Sequence, residues 1–362
     1  MSDESNKQGG VQTLIVTADE DGMRLDRWFK RRVPALSLGH LNKICRTGQV
    51  RIDGARAQTS SRLAEGNAVR VPPLKIEEAV AKPAVKRAVV SDADARSIRQ
   101  MTIFEDKHVI VLNKPYGLAV QGGSGTKHHI DGMLMSMADE KGDRPLLVHR
   151  LDRDTSGVLL IARTRKMASD LGELFRSRQT KKIYWSVVEG VPKPHQGRIS
   201  LFLAKGAGMG DDRRGPKQPG VRRDPEKMRI AKHGEEDAQH SVTFYATVDK
   251  VSPRLAWLSM KPITGRTHQL RAHAEAIGHP IIGDPKYGTR PENDPRRSDP
   301  LRAIPSQVEQ KLHLLARRLI LPHPKGGTID VTAPLPPHMQ TTFDLLGFDI
   351  SSYDPIMDAP DE

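Results

Sequence analysis

The spacing of apolar residues predicts two regions that differ in size and in secondary structure. Apolar residues recur at helical spacing over 25–33 and again over 38–44, and short strand-like stretches follow. In the longer second region, aliphatic runs such as 109–112 and 158–162 are bounded by turn residues, which is typical of buried strands. An amphipathic helix is expected over 167–178. The pattern therefore predicts a small unit that begins with two helices and a larger unit of mixed strands and helices.

Composition and pattern together divide the chain into five segments. Residues 205–239, inside the large domain, are basic and rich in glycine. A stretch of this length without a hydrophobic pattern inside a domain is expected to be functional or disordered. The segments are a flexible N-terminal segment (1–20), a small domain (21–74), a linker (75–100), a large domain (101–347) and an acidic C-terminal tail (348–362).

The charge balance favours a polyanionic partner. The chain has 362 residues and a formal net charge of +13. The excess is strongest in the small domain, where residues 22–72 contain eleven Arg and Lys side chains but only three carboxylates. An excess of positive over negative side chains of this size indicates a surface that faces nucleic acid rather than an ordinary solvated helix face.

Composition also excludes several classes of protein. The single cysteine, Cys45, rules out an intrachain disulfide and a cysteine metal cluster. The polar stretch 1–12 lacks the apolar core of a signal peptide, and no apolar run approaches the roughly 18 residues of a membrane span. We expect a soluble cytoplasmic protein without membrane contact.

A polar stretch between two predicted strands is the strongest candidate for chemistry. Residues 147–162 read LVHRLDRDTSGVLLIA, so two Arg, one His and two Asp lie between apolar ends. Charged groups seldom lie between core strands unless they are paired or used. The alternative is a connecting loop whose Asp and Ser cap the local backbone. A second cluster at 265–273, GRTHQLRAH, supplies cations that can pair with a carboxylate of the first.

Nucleotide and metal sites are disfavoured. The glycine-rich loop 121–127 lacks the Gly-Lys-Ser/Thr ending of a phosphate-binding P-loop. His268, His273 and His279 are five and six residues apart with no acidic ligand between them, which does not suit a metal site. We therefore expect no nucleotide cofactor and no metal.

Four segments of the larger domain resemble the RluA-type pseudouridine synthases. In chain order they are LNKPYGLAVQGGSG, HRLDRDTSGVLLIAR, KKIYWSVVEG and KPITGRTHQLRAHAEAIGHPIIGDPKYG. The small domain resembles the S4-type RNA-binding module. From about residue 20 to 347 the chain is most similar to the large-subunit ribosomal RNA pseudouridine synthase C subgroup. The stretch 205–239 looks longer than the family usually carries, and the tail has no counterpart.

The resemblance implies an α+β catalytic domain with a mixed, largely antiparallel sheet and flanking helices. It also implies isomerisation of uridine to pseudouridine without a cofactor. Asp152 is the implied nucleophile and Arg271 its ion-pair partner, with Arg266 as the alternative partner. Tyr184 is placed in the uracil pocket, where its ring stacks on the base and its hydroxyl can assist removal of the C5 proton. Arg150 resembles the residue that enters the helix stack when the uridine flips out.

Three basic residues of the small domain, Lys43, Arg46 and Arg51, are candidate phosphate contacts.

Two other carboxylates compete with Asp152. Asp154 lies where the family does not place the nucleophile, and we interpret it as a turn or capping residue. Asp26 repeats the same Arg-Leu-Asp-Arg sequence in the small domain but has no second motif to partner it.

The expected substrate is 23S ribosomal RNA, free or within a pre-ribosomal particle, and the expected enzyme is a monomer. A pseudouridine synthase that acts on tRNA is one alternative. A non-catalytic rRNA-binding or ribosome-assembly factor on the same fold is another, although the intact set of Asp152, Tyr184 and Arg271 disfavours it.

Overall fold

The structure is a computed structural model in which the chain divides into two units, Met1–Val89 and Val90–Glu362, each with its own hydrophobic core. No helix among the described residues is long and apolar enough to cross a membrane. The described residues are 10–74, 92–123, 126, 128–139, 142–206, 227–235, 237–251, 253–288 and 304–361.

The smaller unit packs two helices against a four-stranded antiparallel sheet. The apolar positions at helical spacing form the buried helix faces, and Trp28 and Phe29 meet edge to face in the core. Ser37 caps the second helix by accepting a hydrogen bond from the His40 backbone N–H at 3.3 Å. In chain order the elements are β1 (Gln12–Ile15), a 3₁₀ turn (Ala18–Glu20), α1 (Leu25–Arg32), α2 (Leu38–Arg46), β2 (Arg51–Ile52), β3 (Ala55–Arg56) and β4 (Ala68–Val71), with sheet order β1-β4-β2-β3.

The N-terminal boundary of this unit differs from the prediction. Strand β1 and the 3₁₀ turn both fall within the segment expected to be flexible, whereas residues 1–9 lie outside the described part. Glu20 is buried and accepts hydrogen bonds from Arg32 and from the Trp28 indole. The hydrogen bonds from Arg32 lower the pKa of Glu20 to about 2, so this carboxylate ties β1 to α1 at neutral pH.

The larger unit is built on one extensive mixed sheet. Its elements are α3 (Asp92–Met101), β5 (Thr102–Glu105), β6 (Val109–Lys114), α4 (Ile130–Met133), a 3₁₀ turn (Leu134–Met137), β7 (Leu146–Leu147), β8 (Ser156–Ala162), α5 (Arg165–Arg176), β9 (Lys181–Glu189), β10 (Gln196–Lys205), β11 (Met228–Ala231), β12 (Gln239–Val251), β13 (Leu255–Pro262), α6 (Gln269–Ala276), β14 (Leu314–Pro322), β15 (Thr328–Thr332), α7 (Pro337–Leu346) and a 3₁₀ turn (Pro355–Asp358).

Within the described residues the sheet has the order β11-β10-β12-β13-β9-β14-β8-β6-β5, with β15 on β14 and β7 on β8. Every pairing is antiparallel except that between β8 and β14. Strands β8 and β13 are buried along their whole length, which agrees with the burial predicted for the aliphatic run 158–162 of β8. The mixed, largely antiparallel α+β fold is therefore confirmed.

The structure adds detail to three of the predicted segments. Helix α3 belongs to the larger unit and buries Ile98, so the predicted linker ends before residue 92; residues 75–91 lie outside the described part. Strand β11 lies inside the predicted insertion 205–239, of which residues 207–226 and 236 are not described. The acidic tail packs onto the sheet, because Asp354 accepts hydrogen bonds from the Trp185 indole and the Ser259 hydroxyl.

Gly157 allows the one parallel pairing to form immediately after the polar loop. It faces Ala316 across the sheet with φ +108°. A Cβ at this position would lie 2.2 Å from the Ala316 carbonyl oxygen, which no side chain can tolerate without backbone movement. Glycine is thus required both by the torsion and by the close approach of the two strands.

We predict that Gly157→Ala destabilises the protein more than Gly326→Ala does. Gly326 has a similar φ of +102°, but no atom lies within 4 Å of the place that a Cβ would take there, so it isolates the torsional cost. The added clash should lower the free energy of unfolding by about 1–3 kcal/mol beyond the control. Urea unfolding followed by tryptophan fluorescence measures both variants, and equal losses would contradict the steric explanation.

Candidate active site

The polar stretch forms the loop of a β7–β8 hairpin. Leu147 pairs with Ile161, so the sheet holds both ends of the loop close together. A turn follows Asp152, in which the Thr155 backbone N–H donates to the Asp152 carbonyl at 3.2 Å. The Asp152 side chain is 31 % exposed and opens into a cavity of about 570 Å³. The geometry therefore presents this carboxylate to an incoming ligand.

A buried lysine fixes the backbone next to Asp152. The Lys114 ammonium, at the end of β6, donates to the carbonyl oxygens of Arg153 and Leu118 at 2.7 Å and of Pro115 at 3.0 Å. Burial lowers the pKa of Lys114 to about 7, while the charges of Asp154 and Asp152 oppose that shift. Lys114 thus joins the Asp152 loop, through the Arg153 carbonyl, to the end of β6 and to the turn that follows it.

Arg271 approaches Asp152, as expected, but its main partner is another carboxylate. Its Nη1 lies 3.7 Å from Asp152 Oδ2, whereas its Nε and Nη2 donate to Asp284 at 2.7 and 2.6 Å. Arg271 is 3 % exposed and Asp284 is fully buried. Burial by itself lowers the pKa of the guanidinium, but the hydrogen bonds and charge of Asp284 and the charge of Asp152 raise it overall.

Asp284 also organises the loop that follows α6. Its Oδ1 accepts the backbone N–H groups of Lys286 and Tyr287 at 2.9 and 3.0 Å. The carboxylate is therefore saturated with donors, a condition under which a buried ion pair is tolerated. Through this arrangement the Arg271 fork is held rigidly, with one nitrogen left to face Asp152.

Tyr184 lies on β9 between β13 and β14 and lines the same cavity. Burial, and secondarily the charge of Asp152, raise the pKa of its hydroxyl. The residue is therefore a neutral phenol at neutral pH, suited to stacking and to donating a hydrogen bond.

The rim of the cavity is cationic. Arg150 is exposed, and its Nη2 donates to the Thr267 hydroxyl at 3.0 Å, which links the two motifs. Arg266 is also exposed, and its Nε donates to the His240 carbonyl at 3.4 Å, so it does not replace Arg271 as the partner of Asp152. The basic residues that line the cavity are Arg150, Arg176, Arg178, Lys182, Arg266 and Arg271.

The remaining candidates do not line this cavity. Lys43 and Arg46 are exposed on α2 of the smaller unit. Arg51, also in that unit, donates to the carbonyls of Gly48 and Gly54. The two competing carboxylates each have an adjacent arginine: Asp154 accepts from Arg153 at 3.1 Å, and Asp26 accepts from Arg24 at 3.2 and 2.6 Å.

Sequence reasoning missed three residues near Asp152. Asp284 lies in the GDPKYG end of the fourth motif, and a carboxylate there was a signal for a partner of Arg271. His268 was considered only as a metal ligand, yet its Nε2 lies 3.8 Å from Asp152 Oδ2. Lys114 lies in the first motif, but nothing in a sequence reveals that its ammonium turns inward. No group of three or more His, Cys, Asp or Glu suited to a metal occurs among the described residues.

A carboxylate beside a rigid guanidinium, an aromatic ring and a cationic rim can bind a nucleotide and act on it without a cofactor. Residues 108–276 match the model of the RNA pseudouridylate synthase family. The chain belongs to this family of RNA-modifying isomerases.

Individual relatives cover most of the chain. It is 31 % identical to the ribosomal large subunit pseudouridine synthase C of Salmonella typhi over 93 % of this chain and 97 % of the relative. The mitochondrial RNA pseudouridine synthase 4 of Arabidopsis thaliana is 33 % identical over 88 % and 78 % of the two chains. The solved structure of human RNA pseudouridylate synthase domain containing 4 superposes with a TM-score of 0.55 at 30 % identity, covering 71 % of this chain and 96 % of that one.

We predict that Asp284→Asn is strongly destabilising, because it leaves the buried Arg271 without its principal counter-charge. Removing one partner of such a pair costs about 3–5 kcal/mol of unfolding free energy. Asp330→Asn is the matched control, since Asp330 makes the same two-point contact with Arg318 on the surface at 2.7 Å. That loss should be at most about 1 kcal/mol. Chemical denaturation of both variants decides the point; similar losses would show that Asp284 is not essential to the site.

Proposed function

We propose that this chain converts uridine to pseudouridine in large-subunit ribosomal RNA, with Asp152 as the reacting carboxylate. The names of the bacterial relatives support this substrate. The observation that carries the proposal is the Asp152 carboxylate in a basic cavity, 3.7 Å from the buried Arg271 and beside Tyr184. We further propose that the enzyme acts as a monomer in the cytoplasm, on free 23S rRNA or on a pre-ribosomal particle.

In this proposal the reaction needs no external reactant. The C1′–N1 bond breaks, the uracil turns within the cavity, C5 bonds to C1′, and the C5 proton moves to solvent while N1 gains a proton. Asp152 either attacks C1′ or attacks the base, and both routes use the same residues. Arg271 orients the carboxylate through the guanidinium nitrogen that faces it.

Tyr184 and Arg150 are assigned to the base rather than to the sugar. The neutral phenol of Tyr184 stacks on the uracil and donates a hydrogen bond, and its raised pKa makes it a poor proton acceptor unless another group takes its own proton. Arg150, exposed at the rim, fills the space that the flipped uridine leaves in the RNA stack. Arg266 contacts the phosphate backbone beside it.

Asp152→Asn is the test of the nucleophile. The amide keeps the shape of the side chain but is a poor nucleophile, so product formation should be abolished while RNA affinity stays near that of the unmodified protein. Asp154→Asn and Asp26→Asn are the controls and should retain turnover. The assay is tritium release from RNA that carries [5-³H]uridine. Turnover by Asp152→Asn at a tenth of the normal rate or faster would contradict the assignment of Asp152 as the nucleophile.

The smaller unit is proposed to bind RNA through Lys43 and Arg46, with Arg51 supporting the adjacent loop. Replacing both Lys43 and Arg46 by Ala should weaken RNA binding and reduce the slope of log affinity against log salt by about 1.4–1.8, since each phosphate contact contributes about 0.7–0.9. Replacing Arg24 and Arg31 by Ala changes net charge equally, but each of these already pairs with a carboxylate. If both double variants reduce the slope alike, the assignment of these two residues is wrong.

A further inference from the structure

His268 occupies an unusual position against the proposed nucleophile. It precedes α6 in the left-handed region, with φ +50°, and is nearly buried. Its Nε2 lies 3.8 Å from Asp152 Oδ2. A non-glycine residue keeps this backbone conformation only where its surroundings determine it, and such positions cluster at functional sites. The ring is thus held so that one nitrogen faces the carboxylate.

The other ring nitrogen contacts a buried tyrosine. His268 Nδ1 lies 3.2 Å from the Tyr287 hydroxyl oxygen, and the two rings meet edge to face. The same oxygen accepts the backbone N–H of Met228 at 2.7 Å. Because a backbone N–H can only donate, the phenol oxygen is the acceptor there, and its single hydrogen is free to point at Nδ1.

This chain of donors selects one form of the imidazole. Burial raises the pKa of the Tyr287 hydroxyl, so it keeps its proton, and burial lowers the pKa of His268, so the ring is neutral at neutral pH. A neutral ring that accepts at Nδ1 carries its hydrogen on Nε2. That hydrogen then faces Asp152.

The first donor in this series of hydrogen bonds is the Met228 backbone N–H, which belongs to β11 within the segment 205–239. The Met228 side chain and the Tyr287 ring share a small apolar cluster with Leu203 and Ala272. Next to it, the Lys227 ammonium lies 4.8 Å from the Tyr287 ring centroid and 3.1 Å from Glu275 Oε1. The strand is therefore fixed against Tyr287 by three separate contacts.

We propose that His268 is a positioning residue for Asp152, and that Tyr287 and the Met228 backbone set its tautomer. The Nε2–H tightens from 3.8 Å to hydrogen-bond length on the carboxylate when RNA closes the cavity, as contacts in unliganded sites commonly do. In this way β11, from the segment 205–239, contributes to the orientation of the Asp152 carboxylate. The inference rests on the proposed role of Asp152.

The first test reads the tautomer without turnover. With ¹⁵N-labelled histidine, two-bond ¹H–¹⁵N correlation spectra of the intact protein should show a protonated Nε2 and an unprotonated Nδ1 for His268, assigned by loss of the signal in His268→Gln. Tyr287→Phe should alter this pattern, since the hydrogen donated to Nδ1 is lost. Tyr245→Phe is the control: its hydroxyl donates to the Pro194 carbonyl and does not contact His268, so the His268 signals should not change. A proton on Nδ1 in the unmodified protein overturns the proposal.

The second test reads the consequence for catalysis. His268→Ala should lower kcat by about ten- to a hundredfold, the usual effect of losing an orienting hydrogen bond, with KM within about twofold of normal. His268→Gln should recover most of kcat because its amide nitrogen reaches the place of Nε2, whereas the shorter His268→Asn should not. Equal rates for Gln and Asn, or a normal kcat for Ala, overturn the positioning role.

The two proposals fail in different ways. If Asp152→Asn stayed active, the nucleophile assignment would fall while the tautomer could still be observed as expected. An Nε2–H tautomer with unchanged kcat in the His268 variants would instead leave Asp152 in place and overturn the inference about His268.

Discussion

The buried ion pair between Arg271 and Asp284 is the interaction on which the site depends. One guanidinium is shared between two carboxylates: Asp284 takes two of its nitrogens at 2.7 and 2.6 Å, and Asp152 faces a third at 3.7 Å. Burying such charges is costly unless the geometry is two-pronged and every remaining lone pair is satisfied. The backbone donors of Lys286 and Tyr287 meet that condition. The pair thereby fixes the Arg271 guanidinium in place, so that its remaining nitrogen faces Asp152 without movement when substrate arrives.

Much of the site was accessible from the sequence, because chemistry constrains residue types strongly. Charged residues between two aliphatic runs predicted the polar loop, and the basic cluster over 265–273 predicted a cationic partner for it. The family resemblance then pointed to Asp152 and Arg271, with Arg266 as the alternative. The structure brings the two together, with Tyr184 in the same cavity. The roles of these residues in the reaction stay predictions.

The partner relationships were not accessible, because they are set by distances between side chains far apart in the chain. The ion pair was expected between Arg271 and Asp152, whereas Asp284 proved the closer partner. Strand β11 was missed because it lies in a stretch without hydrophobic periodicity and forms only by pairing with β10. The contacts of the acidic tail could not be predicted from its composition, because its Asp354 accepts hydrogen bonds from Trp185 and Ser259 on distant strands. Local pattern determines elements, but long-range polar contacts determine which polar residues are buried.

The anchoring of the Asp152 loop has a consequence for the RNA. Lys114 holds the loop through the Arg153 carbonyl, and Gly157 places the far end of the loop directly against β14. A loop restrained at both ends cannot follow its substrate, so the adjustment on binding must be made by the nucleic acid. The energy needed to unstack and rotate a uridine is smaller where the RNA is already single-stranded or poorly stacked. In the proposed mechanism, in which the uridine is flipped out, the rigid loop therefore favours uridines that their own helix holds weakly.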